Sequence, residues 1–70
     1  MPESTYKVIE LIGVSQISWE EAAKNAIEVA TRTLKEMRVA EVVKMDITID
    51  DDKVTAFRTR LSASFKYIAD

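Results

Sequence analysis

The stretch Val43-Lys44-Met45-Asp46-Ile47-Thr48-Ile49-Asp50-Asp51-Asp52-Lys53-Val54-Thr55-Ala56-Phe57-Arg58-Thr59-Arg60-Leu61 settles the fold class. Val43, Met45, Ile47 and Ile49 alternate with Lys44, Asp46, Thr48 and Asp50, the period of two that marks a half-buried strand. Asp50-Asp51-Asp52-Lys53 supplies turn chemistry. Beyond it Phe57, Thr59, Leu61, Ala63, Phe65 and Tyr67 alternate with Arg58, Arg60, Ser62, Ser64 and Lys66, which predicts a second long strand over residues 54–68. The two strands form a hairpin.

Upstream of the hairpin the period changes. Ser18 followed three positions later by Glu21 matches a capping box, so a helix is predicted from about Trp19. Trp19, Ala22, Ala23, Ala26, Ile27, Ala30, Leu34 and Met37 recur at the three-and-four spacing of one buried helical face, which carries the helix to near Met37. Glu20, Lys24, Glu28, Arg32, Lys35 and Glu36 fall on the outer face, with Glu20 to Lys24 and Glu28 to Arg32 as favourable pairs. Residues 5–13, rich in Tyr, Val, Ile and Leu and ending at the only glycine, predict the first strand.

The order strand, helix, strand, strand makes an α+β domain. If the helix returns the chain across the sheet, the first and second strands run parallel, and only a central third strand makes every neighbouring pair antiparallel. The expected fold is therefore β-α-β-β, one helix packed on a three-stranded antiparallel sheet in the order one-three-two, with residues 1–70 as a single domain. The helix covers one sheet face, its alanines allowing close approach to Ile47, Phe57, Leu61 and Phe65. The other face carries Lys44, Asp46, Thr48, Arg58, Arg60, Ser62, Ser64 and Lys66, a polar surface open to water or to an enclosed wet cavity.

A chain of 70 residues buries only roughly 60% of the surface its unfolded form exposes. Small domains offset this with disulfides, a structural metal or oligomerisation. The absence of Cys and His removes disulfides and thiolate or imidazole zinc sites, together with the commonest general base. No nucleophile-base motif is present either, so the reading is non-enzymatic. Ten basic and twelve acidic residues, scattered along the chain, argue against nucleic acid. No segment approaches the roughly 20 apolar residues of a membrane span, nor does the start of the chain resemble a signal peptide, so a cytoplasmic location is expected.

Several pieces, in order along nearly the whole chain, resemble the dodecins: Tyr6-Lys7-Val8-Ile9-Glu10-Leu11-Ile12-Gly13-Val14-Ser15, Ser18-Trp19-Glu20-Glu21-Ala22, Arg38-Val39-Ala40-Glu41-Val42 and Ser64-Phe65-Lys66. The resemblance implies a hollow homododecamer with helices outside and polar sheet faces inside. In flavin-binding dodecins a tryptophan stacks on the isoalloxazine ring and a glutamine bonds its polar edge. Those positions here are Val39 and Arg58, and valine offers no stacking plane while arginine offers only donors. Arg38-Val39-Ala40, Asp46, Asp50 and Phe57-Arg58 resemble instead a subgroup described as calcium-binding dodecins.

Without sulfur or imidazole, a bound metal must be hard and oxygen-ligated, which favours calcium or magnesium. Asp46 is the first candidate ligand, on a face that symmetry can bring together with its copies, and Asp50 and Glu41 are next. Asp50-Asp51-Asp52 alone lacks the glycine and terminal glutamate of an EF-hand and reads as a turn. Arg58 and Arg60 share a face and suit either an anion or, more commonly, ion pairs between subunits with Glu41, Asp46 or another acid of a neighbour. Trp19 lies on the apolar stripe and reads as a packing or subunit-contact residue. The leading reading is a shell that binds or buffers a small ligand or cation, calcium favoured. The alternatives are a riboflavin- or FMN-storing dodecin and a structural oligomer or protein adaptor.

Overall fold

The computed structural model describes residues 5–67. The chain runs β1 (Thr5–Ser15), α1 (Trp19–Ala30), β2 (Met37–Asp50) and β3 (Lys53–Tyr67). The sheet order is β1-β3-β2, and both pairings are antiparallel. The central third strand is thus as expected; the expected continuation to Ile68, like the ends of the single domain, lies outside the described residues.

Helix α1 starts where the capping pattern places it. Ser18 is extended, and its hydroxyl accepts the Glu21 N–H at 3.0 Å. The Glu21 carboxylate, expected to reach back to Ser18, turns instead to Lys24 at 3.7 Å. The helix ends at Ala30, about two turns before the expected Met37. Thr31 and Thr33 are β-branched, the Thr31 hydroxyl donates to the Glu28 carbonyl, and the Arg32 and Thr33 N–H groups bond three residues back, which tightens and stops the helix. Glu36 then takes a positive φ of 63° and steers the chain into the sheet, its carbonyl accepting the Lys66 N–H and its carboxylate holding Arg38. Met37 consequently pairs with Phe65 at the start of β2, and Arg32, Lys35 and Glu36 are not part of a helical face.

β2 begins earlier than its alternation suggests because it is irregular. The register shifts between Met37 and Val39 and again between Val42 and Lys44, leaving Arg38 and Val43 as extra residues. Each bulge resets which side chains share a face. At the far end Asp50 pairs with Lys53, and Asp51 and Asp52 take φ of 53° and 62°, the geometry of a two-residue type I′ hairpin.

The register places Ile9, Leu11 and Gly13 of β1 opposite Ala63, Leu61 and Thr59 of β3, and α1 packs over these two strands. Ala22, Ala30, Leu61 and Ala63 form the buried apolar core. Gly13 is required here by close approach: a Cβ would overlap the Ala22 carbonyl oxygen and lie 3.1 Å from the Ala26 Cβ. β2 lies outside the helix cover, so Val42, Met45 and Ile47 are exposed on the helix side. The opposite face is polar along β2 and β3 as expected, but β1 adds exposed Tyr6, Val8, Ile12 and Val14 to it. The radius of gyration is 14.6 Å, against about 11 Å for a compact domain of this length. Among the described residues no helix is long and apolar enough to cross a membrane.

Two substitutions test this account in opposite directions. Gly13→Ala should destabilise by about 1–3 kcal/mol or more, because backbone on backbone cannot yield as a side chain can. Asp52→Gly should stabilise by about 1 kcal/mol through relief of the left-handed conformation. Thermal melts of both variants against the parent check the two signs.

Candidate functional site

Antiparallel pairing sets residues of the polar face in rows across the sheet. Val8, Ser64 and Val39 form one row, followed by Glu10, Ser62 and Glu41, then Ile12, Arg60 and Lys44, then Val14, Arg58 and Asp46. Opposite residues on one face are close enough to interact.

Asp46 and Arg58 do so completely. Arg58 Nε donates to Asp46 Oδ1 at 2.8 Å and Nη2 donates to Oδ2 at 2.9 Å, a bidentate charge-assisted pair. Both side chains are partly open to water, at 44% for Asp46 and 40% for Arg58. The Arg58 hydrogen bonds hold the Asp46 carboxyl below the usual carboxylate range, the slight loss of hydration opposes this, and the charges of Arg58, Lys44 and Arg60 add to the lowering. Arg58 is expected from the sequence to pair with an acid across a subunit boundary; its partner is instead Asp46 on the adjacent strand of the same chain.

The backbone of Asp46 is held from the other side of the sheet. The Trp19 indole Nε1–H donates to the Asp46 carbonyl at 3.0 Å, and the ring meets Phe57 edge-on at 5.0 Å between centroids. The Thr59 hydroxyl in turn donates to the Trp19 carbonyl at 2.9 Å. Trp19 is thus a packing residue, as its place on the apolar stripe suggests, but one that also ties α1 to β2.

The other singled-out residues are dispersed. The Thr55 hydroxyl donates to Asp50 Oδ2 at 3.2 Å and lies 2.6 Å from the Thr48 hydroxyl, so Asp50 belongs to a small network at the hairpin end. Glu41 is exposed opposite Ser62. Val39 is exposed, and its carbonyl accepts the Ser64 hydroxyl at 3.4 Å. Lys44 and Arg60 face each other as like charges. Among the described residues no three acidic side chains gather closely enough to hold a metal ion. The donors are hard oxygens, right in kind for calcium, which takes about six to eight of them. The described residues of one chain gather too few of them for such a site.

The helix-side face has its own groove, lined by Trp19, Ala23, Val42, Met45 and Thr59. It opens between α1 and the uncovered β2. Val42 and Met45 there are exposed, with no covering element among the described residues.

The dodecin family profile matches residues 5–67, the whole described chain. The chain belongs to the dodecin family. The calcium dodecin of Mycobacterium tuberculosis is 41% identical over 63 residues, covering 90% of this chain and 89% of that protein. The crystal structure of that calcium-chelating antigen, described as having a novel calcium-binding site, superposes with a TM-score of 0.83 at 40% identity and 96% coverage of both chains. A dodecin from Streptomyces coelicolor gives a TM-score of 0.92 at 28% identity, with both chains covered in full. The dodecin resemblance of the sequence and the order of its elements are thereby established.

The Asp46–Arg58 pair fixes a pH dependence. A carboxyl whose folded pKa is depressed contributes stability that is complete above its unfolded value of about 3.9 and is lost as pH falls through the lower folded value. The gap in thermal midpoint between the parent and Asp46→Asn should therefore be constant from neutral pH to about 5 and close below about 4. A gap that does not depend on acid would show that the pair contributes nothing to stability.

Proposed function

We propose that this chain is the subunit of a hollow, non-enzymatic homododecamer in the cytoplasm that binds or buffers a small ligand, with calcium as the favoured one. Copies of Asp46, Asp50 and Glu41 on the inner polar face are its cation ligands. The observation that carries this reading is the 41% identity to a protein named calcium dodecin, across nine-tenths of the chain. The donor chemistry agrees, since a chain without Cys or His offers a metal only oxygen. Assembly is supported by the small core and by exposed Val42, Met45 and Ile47, which a second copy would cover.

Flavin is the weaker ligand on this reading. Val39 has no ring to stack, and the Arg58 guanidinium at the glutamine position is committed to Asp46. Loss of an aromatic platform costs about 1–3 kcal/mol per stacked ring by analogy with nucleic-acid bases. Riboflavin should be bound poorly by the parent, and Val39→Trp combined with Arg58→Gln should strengthen binding, as read by quenching of flavin fluorescence.

Clustered carboxylates repel one another until a cation enters, and a ligand that binds only the folded assembly stabilises it by mass action. Calcium should therefore raise the thermal midpoint relative to chelator, and Asp46→Asn should shrink the shift. No calcium-dependent shift in the parent removes calcium; an unchanged shift in the variant removes Asp46 as a ligand. Native mass spectrometry of the purified protein should give twelve subunits, and a mass of one to three subunits at micromolar concentration would refute the shell.

A further inference from the structure

Two cations on the polar face have no acid of the chain holding them. Lys44 on β2 and Arg60 on β3 are register partners on that face, and both are exposed. Neither side chain has a hydrogen bond or an ion pair among the described residues. On its other side Arg60 stands opposite Ile12, which is apolar. The next row does hold an acid, Asp46, but Arg58 donates to both of its carboxylate oxygens. In the row before, Glu10 and Glu41 flank Ser62, and neither is within ion-pair distance of Lys44 or Arg60.

Like charges directly opposite one another destabilise a sheet. A local conflict of this kind, with no compensating partner in the chain, marks a place where the residues serve something other than the stability of the fold. A third donor adjoins them. Ser62 lies two residues from Arg60 on the same face and is half-buried. Its hydroxyl has no partner among the described residues, whereas that of Ser64 is used on the Val39 carbonyl. A guanidinium fork, an ammonium and a hydroxyl are thus uncommitted on adjoining rows, and all three donate hydrogen bonds.

We propose that Lys44, Arg60 and the Ser62 hydroxyl form an anion site on the polar face that takes a phosphate group. The Arg60 fork matches two phosphate oxygens, Lys44 supplies a point charge and Ser62 a further donor. A phosphate group carries about −1.5 to −2 charges at neutral pH, which balances the two cations, whereas one carboxylate leaves one of them uncompensated. Bound phosphate turns the repulsion between β2 and β3 into a bridge, and it stabilises the folded chain by mass action. The site stands on its own residues and does not depend on the calcium reading.

The test is titration calorimetry and thermal melting of the full chain with inorganic phosphate, in chelator and at an ionic strength held constant with chloride. Glycerol phosphate and acetate serve as comparison ligands. Phosphate should raise the thermal midpoint of the parent, and acetate should raise it less. Equal binding of glycerol phosphate identifies the phosphate group alone as the ligand, and tighter binding identifies a phosphate carried on a small organic molecule. Arg60→Gln should weaken phosphate binding about tenfold through loss of the fork and its charge. Arg60→Lys, which keeps the charge without the fork, should fall between the two. Lys53→Gln removes one positive charge at the hairpin and should bind as the parent does. Without phosphate, Arg60→Gln and Lys44→Gln should melt no lower than the parent, because each removes a repulsion. A parent midpoint that phosphate raises no more than chloride does overturns the site, as does a loss in Lys53→Gln equal to that in Arg60→Gln. Lower midpoints in both Arg60→Gln and Lys44→Gln without phosphate would show the pair neutralised by a neighbouring subunit's acids, which also overturns it. Should Arg60→Gln fail to fold, Lys44→Gln and Arg60→Lys decide the question, since both should weaken phosphate binding and an unchanged affinity in both refutes the site.

Discussion

One helix is too short to roof this sheet. The 12 residues of α1 span about 18 Å, whereas the 15 residues of β3 extend about 50 Å. The core is accordingly confined to a few small side chains where α1 crosses β1 and β3. The tightness of that crossing, backbone against backbone at Gly13 and Ala22, compensates for its small extent. β2 gains no such cover and depends on ladder bonds to β3, on the Trp19 indole and on the Arg58 pair. An uncovered apolar strand beside a groove follows from the same shortage.

The parts of the fold legible in the sequence were those governed by a single uninterrupted period. β3 alternates without a break through Leu61, Ala63 and Phe65, and Ser18 announces the helix start. The errors lie where two periods meet. Leu34 and Met37 continue the helical spacing by coincidence, while the threonines at 31 and 33 turn the backbone out of the helix. β1 is apolar on both faces, so Val8 and Ile12 gave no hint that they would join the polar side.

The candidate site was legible in its members, but not in which chain supplies the partner. Asp46 is among the acids the sequence offers Arg58, there as a contact between subunits, and the two hold each other within one chain. What brings them together is the bulge at Val43: without it Met45 would stand opposite Arg58, and Asp46 would turn to the helix side. Its trace in the sequence is the adjacent pair Val42-Val43, where the apolar alternation changes phase. Asp50 found a local partner in Thr55, an ordinary turn contact that composition alone cannot distinguish from a ligand role. Glu41 lies on the polar face, opposite Ser62, with no acidic neighbour across the strand.

The central position of β3 bears on how the protein is made. Both of its neighbours, β1 and β2, leave the ribosome before it does, and they do not pair with each other. Until β3 emerges, β1 and α1 have no Leu61 or Ala63 to pack against, and the apolar side of β2 has no ladder to hold it. Folding therefore waits for synthesis to reach the last strand, and non-local pairing of this kind is slow compared with helix formation. On a polysome, where nascent copies crowd together, unpaired β1 and β2 segments of neighbouring chains are exposed at the same moment, so the rate at which β3 is completed governs the balance between correct closure and aggregation.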